Sequence, residues 1–279
     1  MLKRVFNFFI FSSLYIALCA VVMVYQLRYL FPQAKVPAVF YCFVFFSTMC
    51  SYNFHWWLTK HSATGSERLQ WAVKNKWLHL LLYFAGGIGA FIAFFQLQQH
   101  WFWIALGALV TFLYSAPKIP QKLFIGLRRV AVGKTIFLAF VWMYVTTVLP
   151  LLISGSTWQN GFTWLACGRF FLIYAICILF DYRDREDDKA DGIRSMITWF
   201  NEKGIDRLFA LSIALFAVFT AILYNNGIRL PVILLMLLPG IITAGIYRYA
   251  KTHFSDYLYY FVLDGLMMLS GLLMIIVYN

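Results

Sequence analysis

Long apolar stretches are the feature that most constrains the fold of this chain. A helix of about 20 apolar residues is enough to cross the hydrocarbon core of a bilayer. Nine such stretches can be drawn along the sequence, at 5–27, 36–58, 77–95, 100–114, 135–153, 162–180, 205–224, 230–250 and 256–277. The pattern predicts an all-α fold, a polytopic membrane helical bundle of about nine transmembrane helices.

The composition supports the same class. Hydrophobic residues make up 62% of the chain and charged residues 12%, whereas soluble domains are about 45–50% apolar and about 25% charged. The first stretch follows Lys3 and Arg4 and is longer than the apolar region of a secretory signal peptide, which favours a retained membrane anchor. Since no linker rich in Pro, Gly or Ser divides the chain, we expect a single membrane-embedded domain over residues 1–279.

The basic residues predict the orientation in the bilayer. If the N-terminus faces the cytoplasm, nineteen of the 23 lysines and arginines fall in cytoplasmic segments; the segments and ends on the other side hold Arg28, Lys35, Arg169 and Arg229. The positive-inside rule describes such a bias, and nine spans then leave the C-terminus outside. The expected location is a bacterial inner (cytoplasmic) membrane. Basic loops beside anionic lipid headgroups account for the net charge of +12 without nucleic acid as a partner.

Residues 181–191 carry six of the eleven acidic side chains. If the sixth span continues as a helix, Asp181, Asp184, Asp188 and Asp191 share one face within an arc of about 80°. Like charges one turn apart destabilise a helix, so the pattern predicts a bound divalent cation. Mg²⁺ suits it because that ion takes one or two carboxylates and leaves positions for water and phosphate. The alternative is a solvated loop with ordinary salt pairs, Asp181–Arg185 and Arg183–Asp187.

Three further positions are candidates for function. Lys118 emerges just after Pro117 ends the fourth span, which fits an anion clamp as well as a simple cytoplasmic anchor. Asn53 is a polar group near the membrane edge and needs a hydrogen-bond partner. Asp264 lies within the ninth span, where an ionisable residue is a functional candidate, although it could equally be neutral and hydrogen-bonded between helices.

The acidic segment resembles a known motif. Asp184-Arg-Glu-Asp-Asp188, followed by Gly192-Ile-Arg194-Ser195, is similar to the second aspartate motif of the UbiA superfamily of intramembrane prenyltransferases, Asp-x-x-x-Asp followed by Gly-x-(Lys/Arg)-(Ser/Thr). The layout of nine spans and a Tyr-x-x-x-Lys after span four, Tyr114 to Lys118, are also similar to that family.

The resemblance implies an enzyme that transfers an isoprenyl group from an isoprenyl diphosphate to a lipid-soluble, hydrophobic acceptor with Mg²⁺ as cofactor. It implies catalytic roles for Asp184, Asp188 and Lys118. It implies Mg²⁺ ligands at Asp181, Asp184 and Asp188, and substrate contacts from Asn53, Tyr114, Lys118 and Arg194.

One departure supports a second hypothesis. The family's first motif, Asn-Asp-x-x-Asp-x-x-x-Asp, matches at Asn53, but its aspartate positions hold Phe54, Trp57 and His61. None of these side chains supplies the carboxylate that the motif uses for magnesium diphosphate. A catalytically silent relative that binds a polyprenyl lipid or a partner protein is therefore the alternative. A transporter or channel ranks last because the spans hold few polar residues.

Overall fold

The computed structural model of the chain describes residues 2–59, 66–115, 134–190 and 196–278, except the side chains of residues 114, 115, 134, 187, 188, 190 and 196. Regular secondary structure within these ranges is helical throughout, which confirms the all-α prediction. In chain order the α-helices are α1 (Leu2–Phe11), α2 (Leu14–Tyr25), α3 (Leu27–Leu30), α4 (Ala38–Leu58), α5 (Glu67–Lys74), α6 (Lys76–Phe95), α7 (Trp101–Ser115), α8 (Lys134–Met143), α9 (Leu149–Ile153), α10 (Asn160–Arg183), α11 (Arg185–Ala190), α12 (Met196–Trp199), α13 (Glu202–Ile222), α14 (Leu230–Ala250) and α15 (Asp264–Tyr278).

Six helical segments of the described residues are long and apolar enough to cross a membrane. They are Lys76–Phe95, Thr135–Ile153, Asn160–Arg183, Glu202–Asn226, Leu230–Ala250 and Leu258–Tyr278. The first predicted stretch adds a seventh if Leu2–Phe11 and Leu14–Leu30, which meet at a 60° bend, form one span.

The predicted count of nine is not confirmed, although each of the nine predicted stretches contains helix. Helix α4 has 21 residues, but polar side chains near its end, such as Asn53 and His55, reduce its mean hydropathy. Helix α7 has only 15 residues, which at 1.5 Å per residue fall short of a hydrocarbon core about 30 Å thick.

The bend in the first stretch lies at two buried serines, Ser12 and Ser13. Ser13 has a φ of 69°, in the left-handed region that non-glycine residues rarely adopt. The backbone carbonyl freed at Ser12 accepts a 3.0 Å hydrogen bond from the Asn53 side-chain amide of α4. This contact provides the partner that Asn53 was expected to need.

Helix α10 is the central element of the bundle. In its apolar window 72% of the residues are buried, against 17% for α6 at the periphery. Its apolar side chains pack against α8, α13 and the last helix, and the fully buried Ile173 and Leu179 belong to the main core. The side chains at the end of α10 are therefore held by the best-packed part of the molecule.

Helices α4 and α6 approach each other closely at Gly86. A Cβ atom at this position would lie 2.7 Å from the backbone nitrogen of Cys50 and 2.8 Å from the carbonyl oxygen of Phe46. The close approach allows a 2.6 Å hydrogen bond between Asn53 Oδ1 and His79 Nδ1, both fully buried. A residue with a side chain at position 86 would separate the two helices.

Arg169 corrects one assignment made from the sequence. It was placed among the residues of the outer segments and ends, but it lies ten residues into α10 and is buried. Its guanidinium donates to the carbonyls of Thr146 and Met23 and to the side-chain oxygens of Thr147 and Gln26, at 2.5–3.0 Å. Hydropathy could not reveal this site because its acceptors come from distant parts of the chain.

Candidate functional site

The acidic segment lies where α10 ends, which we call the acidic end of the bundle. Helix α10 stops at Arg183, Asp184 forms a turn, and the short helix α11 follows. The segment is therefore not one continuous helix, which was the condition for the four aspartates to share one face. The turn removes Asp184 from a regular helical face, which relieves the like-charge repulsion expected there.

Asp181 is the deepest carboxylate of the segment. It is buried at the last turn of α10, and the hydroxyl of Thr135 on α8 donates a hydrogen bond to it. A buried carboxylate needs such partners because removal from water penalises its charge. Thr135 thus fixes Asp181 at the interface of α8 and α10.

Asp184 forms an ion pair with its neighbour. Arg183 donates from Nε to Oδ1 at 2.7 Å and from Nη2 to Oδ2 at 3.2 Å, a two-bonded arrangement that fixes the carboxylate. Nη2 also lies 3.0 Å from the hydroxyl of Tyr260, and the guanidinium packs on the rings of Tyr259 and Tyr260. The Asp184 side chain keeps 40% of its surface exposed, so it is accessible to a ligand.

A second arginine, Arg68, lies near the same tyrosine. Its guanidinium carbon is 4.2 Å from the ring centre of Trp56 and 5.4 Å from that of Tyr260. Burial lowers the pKa of Arg68 to about 10. Its backbone N–H donates to Asp256 at 2.9 Å, which anchors the start of α5 to the segment before the last helix.

In the sequence, Arg68 is one of many basic residues of the predicted cytoplasmic loops. Ser66 followed by Glu67 is a typical helix start, and the Ser66 hydroxyl does accept a hydrogen bond from the N–H of Leu69. A helix from this point places Arg68 and Ala72 on one face, and both are buried. The capping pattern could therefore have distinguished Arg68 from the solvated lysines.

A charge network beside the site joins three helices. Glu202 accepts from Arg185 at 2.5 Å and from Lys251 at 2.8 Å, and Lys251 also binds Asp206 at 2.8 Å. Burial opposes the charge of Lys251, but these hydrogen bonds outweigh it and raise its pKa. Arg185 thus pairs with Glu202, whereas the solvated-loop alternative suggested a pair with Asp181.

The remaining predicted site residues fall into two groups. Asn53 is buried, and its amide donates to the carbonyls of Ser12 and Met49, so the described contacts of this side chain are internal. Lys118, Arg194 and the side chains of Tyr114 and Asp188 lie outside the described residues. Their predicted roles therefore stay predictions.

Aromatic residues occupy two of the positions where the first motif would carry aspartates. Phe54 stacks on Trp57, with ring centres 6.3 Å apart, and lies 5.3 Å from the ring of Tyr83 on α6. His61 lies outside the described residues. This part of the acidic end offers packing surface in place of carboxylate ligands.

The donor chemistry of the described carboxylates can be compared with the ligands that Mg²⁺ prefers. No group of three His, Cys, Asp or Glu side chains that could hold a metal occurs among the described residues. Mg²⁺ needs only one or two carboxylates besides water and phosphate oxygens, and Asp184 is accessible. The donor chemistry fits one ion that shares Asp184 with Arg183, and participation of Asp188 stays a prediction.

The family described as UbiA prenyltransferase family matches residues 72–262, which is more than half of the chain and includes the acidic segment. No curated protein and no solved structure matches the chain.

Proposed function

The chain belongs to the UbiA prenyltransferase family, and we propose that it transfers an isoprenyl group from an isoprenyl diphosphate to a lipid-soluble acceptor within the membrane. The observation that carries the proposal is the family match, because the matched region contains the acidic segment at the end of the central helix. The accessible carboxylate of Asp184 at that end supports it.

The proposed reaction breaks the allylic C–O bond, and the electron pair leaves with the diphosphate. A bound Mg²⁺ would neutralise negative charge on the leaving diphosphate. Asp184 and Asp188 would hold that ion, with Asp181 as a nearby third carboxylate. Lys118 and Arg194 are proposed to contact phosphate oxygens, because cations at the leaving group stabilise the charge that develops there.

Arg183 has a positioning role in this proposal. It holds both oxygens of Asp184 through Nε and Nη2, while Tyr260 fixes Nη2 from the other side. Its Nη1 takes part in none of these bonds, and the proposal gives it a contact with a phosphate oxygen. The aromatic rings against the guanidinium exclude water from the inner side of the ion pair.

The direct test is a transfer assay with the purified protein in lipid vesicles. Labelled isoprenyl diphosphates of several lengths are incubated with a panel of lipid-soluble acceptors, with Mg²⁺ or with a chelator. We expect a prenylated product that requires Mg²⁺, and a loss of about 100-fold or more in Asp184→Asn, since that variant keeps the shape but lacks the charge.

Glu186→Gln is the matched control for this assay. Glu186 lies two residues away, is exposed, and pairs only with Lys189 among the described residues, at 2.8 Å. The control should retain nearly full activity. Absence of a Mg²⁺-dependent product with any acceptor, or equal activity of Asp184→Asn and the wild type, would contradict the proposal.

The second candidate is a catalytically silent relative that binds a polyprenyl lipid or a partner protein. Two observations favour it: the ion pair that occupies Asp184 and the aromatic side chains of Phe54 and Trp57 in aspartate positions. Its expected outcome is a polyprenyl lipid that copurifies with the protein, detectable by mass spectrometry, with no product in the transfer assay. A product that turns over many times per protein would exclude it.

A further inference from the structure

Asp264 is an acidic residue inside the bundle that the proposed function has not used. It begins α15, directly after a π-helical segment, Leu258–Leu263. Its carboxylate forms no hydrogen bond and no ion pair with any described residue, so the interhelical hydrogen bond considered from the sequence is not present. A carboxylate without such bonds in a membrane bundle is costly and therefore calls for an explanation.

The surroundings of Asp264 indicate that it lies among several helices of the bundle. Its neighbours Leu263 and Leu266 are buried, yet Asp264 keeps part of its surface accessible. Charged and polar groups from three other helices act on it, namely Arg68 of α5, Arg183 of α10, and Tyr15 and Cys19 of α2. Asp264 is therefore partly accessible, with groups of three other helices around it.

The position of Asp264 relative to the acidic end is set by the helix. Tyr260 precedes it by four residues in the same helical segment, and the Tyr260 hydroxyl contacts Arg183, which holds Asp184. From the acidic end inward the order is therefore Asp184, Arg183, Tyr260 and Asp264. A diphosphate bound at Asp184 would have its isoprenyl group directed inward, toward the level of Asp264.

We propose that Asp264 is the proton acceptor of the transfer reaction, an inference that rests on the proposed function. When the allylic C–O bond breaks, the diphosphate keeps the electron pair. A lone pair or π electrons of the acceptor form the new bond to C1 of the isoprenyl group. The proton that the acceptor loses passes to a carboxylate oxygen of Asp264.

A purely structural role for Asp264 is less consistent with the contacts. A purely structural carboxylate would be expected to accept hydrogen bonds from neighbouring helices, and this one accepts none from the described residues. A partly accessible carboxylate among these helices fits a base that meets its substrate there.

The test uses Asp264→Asn and Asp264→Glu in the full-length protein in vesicles. Three quantities are measured: transfer product, diphosphate released with free isoprenol, and binding of an unreactive isoprenyl thiodiphosphate. We expect Asp264→Asn to lose transfer about 100-fold or more, to bind the analogue within about twofold of wild type, and still to release diphosphate with isoprenol.

The pH profile separates a chemical role from a structural one. Wild-type transfer should fall at low pH as the carboxylate takes up a proton, and Asp264→Asn should lack this dependence. Asp264→Glu should restore part of the activity together with a pH dependence. The other titratable and charged groups around the carboxylate, Arg68, Arg183, Tyr15 and Cys19, are the same in all three proteins.

Each outcome decides the matter. Transfer by Asp264→Asn within about threefold of wild type would overturn the inference, as would a loss of analogue binding and thermal stability equal to its loss of transfer. If the wild type itself yields no product with any acceptor, the proposed function has failed, and the inference fails with it. An inactive wild type is distinguishable from an active wild type whose Asp264→Asn variant is unaffected, which would contradict only the role of Asp264.

Discussion

At the scale of single residues, Arg169 shows how a charged side chain is accommodated inside an apolar bundle. Four neutral oxygens accept hydrogen bonds from its two terminal nitrogens, two of them backbone carbonyls. One carbonyl, of Thr146, belongs to a π-helical segment, Tyr144–Val148, and such segments redirect carbonyls from the regular helical ladder. The arginine thus links three parts of the chain that hydropathy treats as independent spans.

We predict that Arg169→Met lowers stability by about 2 kcal/mol, because buried acceptors lose their charged donor while the side-chain volume is nearly kept. The measurement is thermal unfolding in detergent, followed by a thiol-reactive dye or by light scattering. Arg229→Met, at an exposed position before α14, is the control and should be close to wild type. Equal unfolding temperatures for Arg169→Met and the wild type would mean that the four hydrogen bonds make no net contribution to the stability of the folded protein.

Individual site residues differ in how far the sequence could predict them. The need of Asn53 for a partner followed from its place in an apolar helix, but the partners, Ser12 and His79, are 41 and 26 residues away. The sequence marked Asp264 as a functional candidate because an ionisable group lies within an apolar span. Its relation to Arg68 and Arg183 could not follow, because nothing in a linear pattern states which helices meet.

At the scale of helices, the close packing of α4 against α6 depends on the missing side chain at Gly86. The atoms that a Cβ would meet are backbone atoms of Cys50 and Phe46, which cannot rotate away as a side chain can. The same contact holds the Asn53–His79 hydrogen bond in place. Small residues often allow membrane helices to approach in this way.

We expect Gly86→Ala to destabilise the protein by about 1–3 kcal/mol, the usual cost of overpacking. Gly245→Ala is its matched control, since a Cβ there meets nothing within 4 Å and alanine favours a helix by about 0.5–1 kcal/mol. The two variants should therefore shift the thermal unfolding midpoint in opposite directions. A stabilised Gly86→Ala would contradict the described contact between α4 and α6.

Helix existence was predictable from the sequence, whereas helix breaks were not. Apolar length identified every stretch that contains a long helix, since lipid requires such runs. At the break at Ser12 and Ser13, the freed carbonyl is bonded by Asn53 of another helix. At the turn at Asp184, Arg183 is bonded both to its neighbour Asp184 and to Tyr260, 77 residues away. Tertiary contacts of this kind override the local preference for helix.

At the scale of the whole molecule, the arrangement in the membrane is a prediction with a simple test. Moving Arg169 from an outer segment into the bundle leaves Arg28, Lys35 and Arg229 as the basic residues expected on the outer side, so the charge bias becomes stronger. We expect the N-terminus in the cytoplasm and the C-terminus outside.

Reporter fusions measure this arrangement. Green fluorescent protein fused before Met1 should fluoresce, and alkaline phosphatase fused after Asn279 should be active, because each reporter works on only one side of a bacterial inner membrane. The reciprocal fusions serve as controls and should be silent. A fluorescent C-terminal fusion would place both termini in the cytoplasm. It would therefore indicate an even number of membrane crossings and contradict the predicted count of nine.

The π-helical segment before Asp264 has a consequence for the history of this fold. A π turn contains one residue more than an α turn, so it accommodates an extra residue while the helix on either side keeps nearly the same orientation. The loss of a single codon within 258–263 would therefore restore regular helix and leave the direction of the aspartate almost unchanged. Homologous lineages of different length in this segment are thus expected to keep the same buried face.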